Sequence, residues 1–267
     1  MQRDVWLWLT WPMAILTAIA AASGVFARGL YRDAPTLAVQ AMGQDIITLF
    51  VALPALVISG VLARRGSPRA RLVWIGVVTY LVYTYVGYAF AVKFNYLFLV
   101  YTALLGCALY ALIGGLARTD RNAIRAGFGD RTPVRTLSIF MGVVAILFYL
   151  IWLSDAVPAS LAGEPSQALI EAGTPTNFIH VLDMAWILPA LLIAAYKLWH
   201  REAIGFTLAG AALTFLPLLA LAILGMALVM VLQGQALVVP LVVIFVIVFG
   251  LSLGMLTVHL RSFRPAE

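Results

Sequence analysis

Two short stretches place ionisable side chains inside runs that are otherwise apolar: GQDIIT around Asp45, and NFIHVLD around His180 and Asp183. His180 and Asp183 are three residues apart, as are Asp45 and Thr48, so on a helix each pair shares a face. Burying such a group in a bilayer costs about 2.5–3.5 kcal/mol on insertion scales, which makes it a functional-site candidate by default. A carboxylate beside an imidazole can hold a cation, accept a hydrogen bond or pass a proton near neutral pH. The spacing matches no metal-ligand motif, so these residues predict a small-molecule, ion or proton site rather than a metal centre, or else polar groups that only hold helices together.

A third stretch, YLVYTYVGYAFAVKFNYLFLVY at residues 80–101, carries six tyrosines with Lys93 and Asn95. Tyr80, Thr84 and Tyr88 follow one helical face and Tyr83 is adjacent. Phenols at a membrane interface often form an aromatic belt, which accounts for Tyr96 and would also account for Tyr88 and Tyr101. Tyr80 and Thr84 lie too deep for a belt, and a buried phenol needs a partner. The expectation is therefore one outward-facing polar hollow between two halves of the protein. Asp45, Thr48, Tyr80, Tyr83, Thr84 and Tyr88 would line it from the first half, with Lys93 and Asn95 at its rim, and Asp155, His180 and Asp183 from the second.

The elements that must position these residues are transmembrane helices. The chain is 64% hydrophobic and 10% charged, with a mean hydropathy of +1.03, whereas soluble domains carry about 25% charge. Eight stretches are long enough to cross roughly 30 Å of hydrocarbon: about 6–28, 44–63, 72–92, 96–117, 136–155, 178–198, 206–231 and 238–260. The sequence thus predicts an all-α, polytopic bundle forming a single integral membrane domain over 1–267. The first stretch reads as a retained helix rather than a signal peptide, because its apolar core is long and lacks a clear cleavage site.

Of the 17 Lys and Arg, 14 fall at the N-terminus or in the connections after the even-numbered helices, leaving Arg28, Arg32 and Lys93 for the other side. By the positive-inside rule both termini are cytoplasmic. The net charge of +6 is therefore read as topology rather than nucleic-acid binding, and the partners expected are the bilayer, a small ligand or ion, and a possible second subunit. The lone Cys107 permits no internal disulfide. No GxSxG, HExxH, Walker A or GxGxxG signature occurs, so catalytic residues and cofactors are not assigned.

LPALVISGVLARR at 53–65 aligns without gaps on LPALLIAAYKLWH at 188–200, an offset that places Asp45 on His180 and Thr48 on Asp183. The expectation is two four-helix repeats, 1–117 and 136–260. Pro54 and Pro189 lie further along each helix, where each is expected to kink it.

The stretches GQDIITLFVALPALVISGVLARRGS, YTYVGYAFAVKFNYLFLVYTALLGCALYALI, WLSDAVPASLAG and HVLDMAWILPALLI resemble the motifs of a group of bacterial polytopic membrane proteins of uncharacterised activity. The resemblance covers roughly 43–200. It implies a bacterial cytoplasmic-membrane location and directs attention to Asp45, Tyr83, Tyr85, Asn95, Asp155, His180 and Asp183. Three functions remain open at this stage: binding or transport of a small polar or cationic ligand or proton, an intramembrane enzyme using His180 and Asp183 as an acid–base pair, and a non-catalytic subunit or sensor.

Overall fold

The computed structural model describes residues 4–264; Arg3, counted above with the basic residues of one side, lies outside them. Eight of its helices are long and apolar enough to cross a membrane: α1 (Val5–Phe26), α2 (Pro35–Arg64), α3 (Pro68–Phe90), α4 (Phe98–Arg118), α5 (Val134–Ala162), α6 (Phe178–Trp199), α7 (Ala203–Leu232) and α8 (Val239–Ser262). Among the described residues the only β pairing is an isolated bridge between Phe128 and Phe263.

Two boundaries differ from the sequence reading in ways that matter for the site. α2 begins at Pro35, not near residue 44, because a proline at the first helical position has no N–H to leave unsatisfied and its fixed φ starts the turn. Asp45 is therefore about 15 Å along its helix at 1.5 Å per residue rather than at its start. α5 continues to Ala162, where Gly163 ends it at φ +70°. Asp155 is thus helical, and the connection that follows contains a short helix, Gln167–Ala172.

Each proline is preceded by a widened turn, which the sequence reading did not anticipate. A proline inside a helix lacks the N–H and its ring crowds the carbonyl four residues back. In α2 the turn just before Pro54, Thr48–Ala52, is widened to π pitch, so that the Leu53 N–H bonds to the Thr48 carbonyl. In α6 the same occurs at Asp183–Ile187, with the Leu188 N–H bonded to the Asp183 carbonyl. The two widened turns start 135 residues apart, and regular helices of 12 residues follow each one, Leu53–Arg64 and Leu188–Trp199.

Within the first four helices, α1 packs on α2, α2 on α3, α3 on α4, and α4 back on α1; α5 to α8 follow the same order. α7 lies against both α2 and α3 and joins the halves. Without a hydrophobic drive between helices in lipid, close approach needs small residues. Gly43 and Gly225 supply it where α2 meets α7, since a Cβ on either would overlap the other helix's backbone. α3 is central as a result: 78% of its most apolar stretch is buried, against 17% for α8.

The cytoplasm-facing end of the sequence reading is tied down by its own contacts. Arg264 N–H bonds to Gly127 O at 2.7 Å, the Arg69 guanidinium to the Phe263 carbonyl, and Arg71 pairs with Asp4 at 2.7 Å. His259 is buried with its ring 4.6 Å from that of Phe128 and its Nε2 3.1 Å from Phe206 O.

Candidate functional site

The expected single hollow is divided in two. Asp45, Thr48, Tyr80, Thr84 and Tyr88 form a closed polar ladder between α2 and α3, while Tyr83, His180 and Asp183 line an open cavity in the second half. The division has a geometric cause: α3 is central, and adjacent residues on it such as Tyr83 and Thr84 point about 100° apart, toward different neighbours.

The ladder follows from antiparallel packing, each step one turn down α2 and one turn up α3. Tyr88 OH lies 3.0 Å from Asp45 Oδ1 and from Ala41 O, Gln44 Nε2 donates to Thr84 Oγ1 at 2.9 Å, and Thr48 Oγ1 is 2.8 Å from Tyr80 OH. Tyr31, in the α1–α2 connection, donates its phenol to Asp45 Oδ2. Its burial, then the adjacent Asp45 carboxylate, push the Tyr31 pKa above the ordinary phenol range, so it remains a protonated donor. Asp45 is 1% exposed with both oxygens engaged, and α1 closes over it at Gly24, where a Cβ would overlap its carboxylate. No ligand has a free oxygen to meet there. Tyr85, also fully buried, has a hydroxyl without a partner among the described residues.

Tyr88 and Tyr101 do not belong to an aromatic belt, since both are buried; Tyr96, at 70% exposure, is the one placed like a belt residue. Lys93 and Asn95 make no hydrogen bond to Asp45 or Asp183: the Lys93 N–H donates to Asp33 Oδ1 at 2.8 Å, and Asn95 Oδ1 accepts the Leu97 N–H at 2.9 Å in a turn just ahead of α4.

Asp183 is differently placed. It opens the widened turn of α6, its Oδ2 accepts the Trp152 Nε1–H of α5 at 2.8 Å, and the Tyr83 phenol of α3 lies beside it. The other oxygen, Oδ1, is buried and accepts no hydrogen bond of ordinary geometry among the described residues; besides Trp152, the donor close to the carboxylate is the Tyr83 hydroxyl. A buried carboxylate oxygen left unpaired costs on the order of 1–3 kcal/mol or more, so its persistence needs a reason.

The turn itself is braced. Leu188 uses the Asp183 carbonyl and Pro189 has no N–H, so the Met184 carbonyl lacks a helical donor; Tyr149 OH supplies one at 2.8 Å. His180 sits one turn before Asp183 but does not pair with it. Its ring stacks at 4.5 Å on Trp152, its N–H is capped by Asn177 Oδ1 at 3.1 Å, and its Nδ1 lies 3.8 Å from Asp155 Oδ2.

The cavity beside Asp183 has a volume of about 390 Å³. Polar side chains enter its lining at Asp183, Tyr83, Trp152 and His180, and again at Thr36, Gln40, Glu171, Thr174 and Asn177. Most of the lining is nevertheless apolar, including Val144 and Phe148 of α5, Phe215 and Leu219 of α7, and Phe245 and Val248 of α8. Among the described residues no three His, Cys, Asp or Glu side chains converge.

Sequence reasoning missed Tyr31, Gln44 and Trp152. Gln44 was legible as Asp45's neighbour, and Trp152 stands three residues before Asp155 in WLSD; nothing local marks Tyr31, which reaches Asp45 from a connection. No protein-family model, curated protein or solved structure matches the chain.

Proposed function

We propose that this chain is a multi-pass protein of the bacterial cytoplasmic membrane that binds an amphipathic molecule, its hydrogen-bond-donating and preferably cationic head on Asp183 and its apolar body in the cavity between α5, α6, α7 and α8. The observation that carries this reading is the buried Asp183 Oδ1, without a hydrogen bond of ordinary geometry among the described residues, on the wall of a largely apolar cavity. A carboxylate oxygen can only accept, so it selects a donor, and an ammonium adds charge to the hydrogen bond. Apolar walls with few placed polar groups are the ordinary build of a small-molecule site.

The binding reading is favoured over an acid–base enzyme because His180 turns toward Asp155 and no hydrogen bond or ion pair joins it to Asp183. It also takes 1–117 and 136–260 as a duplicated four-helix unit, supported by the matching widened turns and the like packing order. The arginine-rich connections after α2 and α4 would then face the cytoplasm and the Asp183 cavity would face outward.

The test is a tryptophan-fluorescence titration of the protein in lipid nanodiscs with dodecylamine, dodecanol and dodecanoate. Dodecylamine should bind best, and Asp183→Asn should weaken it by about 1.5–3 kcal/mol, a loss of roughly tenfold or more. Equal binding by Asp183→Asn, or a preference for dodecanoate, would discard the reading.

A further inference from the structure

We infer that the ligand is a bilayer-dissolved amphiphile that enters sideways, through the seam between α5 and α8, rather than from the aqueous phase. This rests on the Asp183 cavity being a ligand site and adds its source and its route.

The seam is the weakest join in the second half. α5 and α6, α6 and α7, and α7 and α8 pack along much of their lengths, whereas α5 and α8 meet in only a few places. Their counterparts in the first half, α1 and α4, are joined more extensively. α8 is also the least enclosed of the eight helices, so lipid reaches the seam directly.

Both sides of that seam are cavity wall. Val144 and Phe148 of α5, and Phe245 and Val248 of α8, all line the space beside Asp183. Only one aromatic contact crosses the seam among the described residues, with the rings of Phe148 and Phe245 5.3 Å apart. Two phenylalanine side chains turning about χ1 can open such a contact without breaking a hydrogen bond, and side-chain rotation is fast beside helix motion.

The outer end is built differently. The short helix Gln167–Ala172 lies over it, and Ala168, Leu169 and Ala172 present apolar side chains to the cavity. Gly173, at φ +65°, turns the chain back against Ala34 at the start of α2. That end also carries Glu171, Thr174 and Asn177, whereas at the seam an apolar chain meets only apolar side chains and needs only the phenylalanine pair to part. The chemistry agrees, because a molecule suited to largely apolar walls and the buried Asp183 carboxylate partitions into a bilayer before it meets the protein.

The experiment uses a Cys107→Ser background carrying Phe148→Cys and Phe245→Cys, reconstituted in liposomes and bridged by a bis-methanethiosulfonate that a reductant releases. The probe is dodecylamine with a terminal diazirine, added to the bilayer; labelling of α5–α8 peptides on illumination is the readout. Bridging should abolish labelling and reductant should restore it in the same sample, with each single-cysteine protein unaffected by the reagent. As a second variant, Phe245→Ala should label faster than the unsubstituted protein.

Labelling of the bridged protein at the rate of the reduced one, or no acceleration in Phe245→Ala, would overturn lateral entry while leaving the site in place. If the unbridged protein is not labelled at all, or Asp183→Asn labels as readily, the site itself fails and the route falls with it.

Discussion

Asp45 and Asp183 are both buried acids that accept hydrogen bonds from neighbouring elements, yet they have opposite consequences. Asp45 has every oxygen engaged by a phenol and a glycine pressed against it, so its role is to hold α1, α2 and α3 together. Asp183 keeps one oxygen without a hydrogen bond of ordinary geometry beside a cavity. The ladder therefore makes a stability prediction in which neighbouring tyrosines differ in sign. Tyr88→Phe removes a donor from a buried carboxylate and should destabilise by about 1.5–3 kcal/mol. Tyr85→Phe removes a hydroxyl with no partner and should be neutral or stabilising by up to about 1 kcal/mol. Thermal unfolding in one detergent, compared between the two variants, decides the matter: equal losses would mean that the ladder is not what holds α2 to α3. The sequence made these tyrosines visible by their spacing, and it placed Asp45 and Asp183 correctly as intramembrane acids. It could not separate them into two sites, because that depends on which face of α3 meets which helix, and both faces of α3 are equally apolar and equally rich in tyrosine.

At the scale of the element, α2 and α6 share one device. A proline breaks the hydrogen-bond ladder, the preceding turn widens, and the residue that opens the widened turn, Thr48 or Asp183, is aimed at α3. Such π segments inside α-helices frequently mark functional sites. The LPAL motif was legible, and so was the presence of the prolines. The widened pitch was not, because the preference for a kink over a π turn is settled by what can satisfy the freed carbonyl, here Tyr149 on Met184. Pro189→Ala returns an N–H at that position and permits ordinary α pitch, which would turn Asp183 away from the cavity. The expected result is helix content unchanged by circular dichroism with binding of dodecylamine weakened about tenfold, or about 1.4 kcal/mol. Unchanged affinity would show that the proline serves packing alone. Helix starts were the least legible elements, and α2 shows why: Thr36, Gln40 and Gln44 look like a polar connection, yet they face the cavity or α3 once the helix begins at Pro35.

For the whole molecule, the count of eight crossings follows from hydropathy alone, whereas the arrangement depends on glycines whose meaning is set by their neighbours. Gly43 and Gly225 are unremarkable letters in apolar runs, but together they let α7 press into α2 and draw the halves together. That join leaves α5 and α8 as the free edge of the second half, with the cavity behind it. The proposed route then depends on which leaflet the cavity faces, and this is a question of charge. Arginines cluster beside Asp130 and are sparse near Gln233, and short loops rich in Arg remain on the cytoplasmic side. Both positions are exposed, so each can carry a cysteine in a Cys107→Ser background. In intact cells a membrane-impermeant maleimide should label Gln233→Cys and leave Asp130→Cys unlabelled until the membrane is permeabilised. The reverse pattern would turn the protein over, put the Asp183 cavity on the cytoplasmic leaflet, and require the amphiphile to be drawn from that side instead.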